Sequence, residues 1–341
     1  MERKSVYFIS KGRIEIRKEI LPKISSNQMV VQSIVSAISP GTELLFYHGQ
    51  VPNNIKIDTT IPGLNGKCDF PLKYGYAIVG KVVEIGSKVD TSWLDKIVFA
   101  FHPHENKFLA TPEDLIPIPE DLPVEKAIFL ASMETAVNFL MDGKPFIGEQ
   151  VVVFGQGIIG LLTTALLAQL PVSFLLTFDK YSLRREKSLS IGANDSLDPS
   201  QYQSIESIKK MLKEKAGIDC ADLIYELSGK LTALKQAIQI AGFESRIIIG
   251  SWYGNDEEKL SLGAHFHRNR IQLTSSQVST VASLFGGRWD KKRRIQVALK
   301  QLQKLELRHL ITHQIPFENA PEAYELIDRH PEKTIQVLLT Y

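Results

Sequence analysis

Residues 155–160 read Gly-Gln-Gly-Ile-Ile-Gly, directly behind the apolar run Val151–Phe154 and directly ahead of an apolar stretch from Ile158 to Leu170. Three glycines at this spacing, between a strand signal and a helix signal, leave the backbone few solutions. The first allows a tight turn, the second lets the main chain approach a pyrophosphate, and the third lets helix and strand pack closely. Phosphates then lie at the positive end of the helix. The motif predicts a βαβ unit that holds a dinucleotide at Gly155, Gly157, Ile158, Ile159 and Gly160.

The rhythm on either side agrees. Beyond about Pro123 strand and helix patterns alternate: VVVFG, then IIGLLTTALLAQL, SFLLTFD, SLRREKSLSIGA, ADLIYELSG, LTALKQAIQIA and RIIIGSWYG. Such alternation predicts a doubly wound parallel sheet with crossover helices. Asp179 ends the second strand at the spacing where a carboxylate accepts from both hydroxyls of an adenosine ribose, which favours NAD over NADP. Lys180, Arg184 and Arg185 follow closely and would suit a 2′-phosphate instead.

Residues 5–119 differ. VYFIS, RIEIRKEI, MVVQSIVSAI, AIVGKVVEIG and KIVFAF are short β-branched runs separated by turn residues, so a mostly β region is expected. Residues 50–71, with Pro52, Asn53, Asn54, Pro62, Gly63, Asn65, Gly66 and Pro71, read as a long loop. After about Gln277 comes a helix started by Asp290, with Ile295, Ala298, Leu299, Leu302 and Leu305 on one face, and TIQVLLTY returns to strand character. The expected domains are therefore 1–123 completed by 277–341, and 124–276.

Composition removes other classes. Hydrophobic residues at 44% of 341 exclude a disordered chain, and 40 Lys and Arg against 38 Asp and Glu give no global field for nucleic acid or acidic lipid. The cluster Lys291, Lys292, Arg293 and Arg294 reads as a solvated helix face rather than a nucleic-acid patch. Two cysteines make neither a disulfide framework nor a four-cysteine zinc site. With no apolar leader in the first ten residues and no unbroken apolar run of spanning length, a cytoplasmic protein without membrane contact is expected.

A β-rich region, a Rossmann unit and a short C-terminal return resemble, over the whole chain, the medium-chain dehydrogenase/reductase superfamily. SAISPGTELLFYHG (36–49), FPLKYGYAIVG (70–80), VFAFHPHENKF (98–108), FLASMETAVNFL (129–140) and FHRNRIQLTSSQVS (266–279) further resemble a zinc-lacking subgroup with hydroxyethyl bacteriochlorophyllide dehydrogenase. The resemblance implies a GroES-like catalytic domain beside the Rossmann domain, hydride transfer between a nicotinamide and a small-molecule alcohol or ketone, and a homodimer. Its rivals are an NADPH-dependent quinone or enone reductase and a non-catalytic nucleotide-binding protein.

The zinc enzymes of the superfamily take a cysteine from a GICGTD-like phrase and a histidine from Gly-His-Glu. Here those phrases read Ala37-Ile38-Ser39-Pro40-Gly41-Thr42-Glu43 and Gly75-Tyr76-Ala77, and no structural zinc lobe follows Asp95-Lys96-Ile97-Val98. No zinc is expected, although Cys68, His102, His104 and Glu43 could be assembled into another metal site. Without metal, the substrate oxygen needs positioned donors. Tyr76 is the first choice, the alternative being a filler of the vacated cavity; Thr42 follows as a proton relay, then Ser39, whose Ser-Pro-Gly-Thr string is also turn chemistry. Glu134, as a cleft base, and His102 or His104, as a proton shuttle, are further candidates, with Tyr47 and His48 behind them. Cofactor candidates beyond the glycines are Asp179, Lys180, Ser228, Ser251, Trp252 and Ser276, with Tyr253 and Gln277 on the same loops.

Overall fold

The structure, a computed structural model, describes residues 2–52, 56–57, 61, 64, 66–201 and 204–341. Of the loop expected over 50–71, Asn53, Asn54, Pro62, Gly63 and Asn65 lie outside the described residues. The chain forms two compact units, Met1–Ala131 with Leu299–Tyr341, and Ser132–Ala298. Segment 277–298, expected with the C-terminal return, therefore groups with the α/β unit.

The chain begins with β1 (Glu2–Ser10), β2 (Arg13–Ile20), β3 (Met29–Ile38), α1 (Pro40–Tyr47), β4 (Ile78–Ile85), β5 (Ile97–Ala100), β6 (Lys107–Ala110), β7 (Leu115–Pro117) and α2 (Val124–Ala127). Next come α3 (Leu130–Gly143), β8 (Gln150–Phe154), α4 (Ile158–Leu167), β9 (Phe174–Phe178), α5 (Ser182–Ser190), β10 (Asp195–Leu197) and α6 (Ile205–Ala216). They are followed by β11 (Ala221–Glu226), α7 (Leu231–Ile240), β12 (Ala241–Ile249) and β13 (Gln272–Ser275). The last elements are α8 (Lys291–Lys304), β14 (Ile311–Pro316), α9 (Ala320–Arg329) and β15 (Gln336–Thr340).

In the α/β unit six parallel strands run in the order β10-β9-β8-β11-β12-β13. Every residue of β8 and β9 is buried, as a strand covered on both faces requires, and α4 is apolar almost all round because it is enclosed. This is the expected Rossmann sheet. In the other unit β14-β15-β3-β4-β5-β7 form one sheet, with β6 also on β3, and β1 and β2 form a separate antiparallel hairpin.

Among the elements the sequence pattern misses are β10, α6, β14 and α9, and it misreads α1. β10 has three residues, too few for periodicity, and α6 (IESIKKMLKEKA) shows only Ile208, Met211 and Leu212 as a buried stripe among charges. β14 and α9 lie in the C-terminal return, where only β15 was foreseen. Residues 40–47 are a helix rather than turn chemistry: Pro40 suits the first helical position and Glu43 the first turn.

The hairpin is fastened by a charged cluster. Arg3 reaches Glu19 at 2.9 Å and Glu105 at 3.1 Å, and Lys73 reaches the same two carboxylates at 2.9 and 2.6 Å. Ser5 donates to both, Tyr7 donates to Glu19, and His102 Nε2 lies 3.1 Å from Glu105. Burial raises both carboxyls, yet Tyr7, Lys73 and Ser5 outweigh it at Glu19, and His102 and Lys73 outweigh it at Glu105, leaving each at about 2. A depressed folded pKa means stability that is complete above the ordinary 4.5 and lost as pH falls toward 2. The urea midpoint should therefore fall steeply across that window. Glu105→Gln should cost about 3 kcal/mol at pH 7 and shrink the fall; an unchanged pH slope in this variant would count against the assignment.

Candidate functional site

The glycine loop is built as its spacing requires. Gly155 adopts φ +90°, and a methyl group there would lie 2.6 Å from Leu227 O and Ser228 Cα. At Gly160 it would lie 1.9 Å from Gly155 O, so only hydrogen lets α4 close on the turn. Gly157 caps α4, and a methyl group there would meet only open space and Arg184 Nη1 at 4.0 Å. A helix N-terminus with free room and a guanidinium beside it fits a dinucleotide pyrophosphate. Ile158 and Ile159 form the first turn of α4.

Asp179 follows β9. Its Oδ2 accepts from Gln156 N at 2.8 Å and its Oδ1 from Tyr181 N at 2.9 Å, so each oxygen keeps a second lone pair for a ribose hydroxyl. Lys180 Nζ and Arg184 Cζ lie 4.6 and 4.8 Å from the Tyr181 ring centroid, and Arg184 Nη1 is 4.0 Å from Asp179 Oδ2. Acid and bases thus share one patch.

Glu226 is a buried residue that sequence reasoning missed. It ends β11, in register with Phe154 at the end of β8, at the point where the strand order reverses. Its carboxylate accepts from Ser228 N at 2.9 Å, from the Ser228 hydroxyl and from Tyr253 OH at 2.5 Å; burial and that charge push the Tyr253 phenol far above its ordinary range. Ser251 Oγ accepts from Gly229 N at 2.8 Å and donates to Glu226 O at 3.3 Å, and Trp252 beside it is partly exposed. The signal was available: ADLIYE, like FLLTFD, is an apolar strand that ends in an acid.

Ser276 follows β13, accepts from Asn138 Nδ2 at 3.0 Å and donates to Asp142 at 2.5 Å. Gln277 bonds Ser279. Glu134 is not a free base: it is buried and paired with Arg294, whose Nη2 lies 2.9 Å away, and burial raises its carboxyl even against that cation. Arg294 itself is fully buried, which corrects the expected solvated basic face. It lies four residues before Ala298 and eight before Leu302, on the stripe already read as core.

In the β-rich unit Tyr76 and Ser39 come together, the Tyr76 hydroxyl donating to Ser39 Oγ. Thr42 sits one turn away on α1, its N–H bonding Ser39 O at 3.2 Å. Beneath them Glu43 Oε1 accepts from Ser39 N at 2.7 Å, while Oε2 lies 3.1 Å from His104 Nε2 and accepts from Tyr324 OH. His104 Nδ1 is 2.7 Å from Ser36 Oγ, and its ring fills the space a side chain at Gly75 would need. His102 stacks on Phe108 at 4.0 Å and bonds Glu105 of the Glu19–Glu105 cluster. Tyr47 stacks on Tyr324, and His48 pairs with Asp328 at 2.9 Å.

Two neutral hydroxyls bonded to each other are poor zinc ligands, and His104 and Glu43 satisfy one another. Among the described residues no three His, Cys, Asp or Glu side chains gather to hold a metal. The donor set at Tyr76 and Ser39 does not fit zinc, whereas the glycine cradle and strand-end acid fit a nicotinamide dinucleotide.

No family model matches the chain. The D-guloside 3-dehydrogenase of Escherichia coli K12 is 25% identical over 273 residues, covering 78% of this chain and 77% of that protein. An alcohol dehydrogenase of E. coli CFT073, solved with NADH, superposes with a TM-score of 0.80 at 19% identity over 100% of this chain and 99% of that one. A protein of Sinorhizobium meliloti 1021 described as a zinc-binding dehydrogenase, solved with NADP, also gives 0.80, at 17% identity over the full length of both. Homology and fold support the medium-chain, zinc-type alcohol dehydrogenase superfamily and, within it, an NAD(P)-dependent alcohol dehydrogenase or reductase. Among the described residues no helix is long and apolar enough to cross a membrane.

The glycines separate packing from binding. Gly160→Ala should destabilise the fold by about 3 kcal/mol through overpacking, whereas Gly157→Ala should melt normally and lose about tenfold or more in NADH affinity. Thermal unfolding and NADH fluorescence titration check both. Normal NADH affinity in Gly157→Ala would show that phosphate does not approach there.

Proposed function

We propose that the chain is a zinc-independent, NAD-preferring oxidoreductase that interconverts a secondary alcohol, on a sugar-like or ring-bearing substrate, with its ketone. The single observation that carries this is the Tyr76–Ser39 hydroxyl pair, held from below by Glu43 and His104, at the two positions that the resemblance matches to metal ligands of the superfamily's zinc enzymes. A homodimer is expected from the resemblance alone.

The bound nicotinamide supplies the hydride acceptor or donor. The protein's own groups must then manage charge on the substrate oxygen. Tyr76 donates a hydrogen bond to that oxygen as negative charge develops, and Ser39, which holds the phenol when no substrate is present, keeps it aimed. Thr42 stands one helical turn away to pass the proton onward. In the α/β unit Gly157 and the N-terminus of α4 receive the pyrophosphate, and Asp179 receives the adenosine ribose.

Tyr76→Phe keeps the ring and deletes only the hydroxyl. On a panel of sugar alcohols and secondary alcohols with NAD, in chelator, the parent protein should turn over and the variant should be slower by about a hundredfold with NAD affinity intact. Near-normal turnover in Tyr76→Phe would make the tyrosine a cavity filler, and loss of the parent activity in chelator would restore a metal. An enone or quinone turned over in place of every alcohol would favour the reductase rival.

Cofactor choice has its own test. NAD(H) should bind more tightly than NADP(H), and Asp179→Ala should narrow the gap by removing both the ribose acceptor and the charge that repels a phosphate. Tighter NADP(H) binding in the parent protein would mean that Lys180 and Arg184 prevail over the acid.

A further inference from the structure

The buried guanidinium of Arg294 has more partners than an ion pair needs. Nε and Nη2 donate to Glu134 Oε1 at 3.1 and 2.9 Å, which balances its charge. Nη1 donates to Asn138 Oδ1 at 2.6 Å and to Thr280 O at 3.0 Å, and Nη2 also donates to Val278 O. Two of its acceptors are thus main-chain carbonyls of the turn between β13 and α8. Asn138, on α3, passes its other end to Ser276 Oγ at 3.0 Å and Asp142 Oδ2 at 3.1 Å. Segment 276–280 is held at both ends by groups anchored on α3 and α8.

Its place in the sheet makes this more than packing. Dinucleotides lie outside the carboxyl ends of the strands, one half to each side of the order reversal between β8 and β11. Asp179, at the end of β9, marks the adenosine side. Ser276, at the end of β13, therefore stands on the nicotinamide side. A buried cation is retained at a cost unless fully bonded, and here its surplus donors converge on one irregular segment beside the site.

We propose that Arg294, backed by Glu134 and Asn138, is a positioning residue that fixes segment 276–280 and so sets affinity for the nicotinamide half of the cofactor. The inference rests on the dinucleotide reading above.

The test compares NADH with ADP-ribose, which lacks the nicotinamide, on the full chain and on Arg294→Lys, which keeps the charge facing Glu134 but not the fork that reaches the two carbonyls. NADH should bind about tenfold more weakly to the variant, ADP-ribose within about twofold of the parent, and amide exchange over 276–280 should quicken without ligand. Asn138→Ala, which leaves the ion pair intact, should shift NADH in the same direction by less, and it decides the matter if Arg294→Lys does not fold. Equal weakening of both ligands, or unchanged exchange over 276–280, would reduce Arg294 to a structural ion pair. Failure of the parent protein to bind either ligand would overturn the dinucleotide reading itself, a result distinct from binding without selective loss.

Discussion

The α/β unit depends on one close approach: the first turn of α4 against the carbonyl of Gly155, at a distance no Cβ on Gly160 would tolerate. That contact lets a helix begin immediately behind a buried strand, so its unsatisfied N–H groups face outward at Gly157 rather than into the core. Burial on both faces then follows for β8 and β9, with the crossover helices packed in pairs, α4 with α5 and α6 with α7. The place for phosphate is a by-product of how tightly strand and helix are joined.

The β-rich unit solves a different problem. Tyr76 and Ser39 bring two hydroxyls together, and hydroxyls rotate unless they are held. Here orientation comes from below: Glu43 fixes the Ser39 amide, His104 fixes Glu43, and Ser36 fixes the other imidazole nitrogen, with Tyr324 and Tyr341 closing the network. Buried polar groups are tolerable only when each is bonded, and a network satisfied throughout is correspondingly rigid. Glu43 and His104 thus lie beneath the hydroxyl pair, whereas the sequence pattern offered Glu43 as a metal ligand and His104 as a metal ligand or a proton shuttle.

What was legible in the sequence follows from range. The glycine loop, the alternating elements around it and the strand-end Asp179 are local signals, and all were readable. Tyr76 and Ser39, 37 residues apart, were paired only through the resemblance, and their contact is a tertiary fact. Arg294 was misread, and the surroundings of Glu134 were not legible, for one reason: the two are bonded to each other across 160 residues, and charge alone suggests exposure or chemistry. Arg294 carries the lesson most clearly, since its position on the Ala298–Leu302 stripe marked it as buried while its identity argued otherwise. Helix α1 was overlooked because Ser-Pro-Gly-Thr serves equally to start a helix and to make a turn.

The two strand-end acids show how one position serves opposite purposes. Asp179 and Glu226 both follow apolar parallel strands, and both accept a backbone N–H from two residues further on, at Tyr181 and Ser228. Glu226 is fully buried and spends its remaining capacity on Ser228 and Tyr253, so it organises the loops after β11 and β12 and leaves little for a ligand. Asp179 is nearly as buried, but its other neighbour is the glycine loop, and its charge is met only at 4.0 Å by Arg184. An acid tied to the glycine loop on one side, with Lys180 and Arg184 on the other, keeps capacity that Glu226 has spent. The same strand-end carboxylate therefore builds the fold at β11 and, at β9, stands where the proposed reading puts the adenosine ribose, and what separates the two is whether its last lone pairs are closed by the protein.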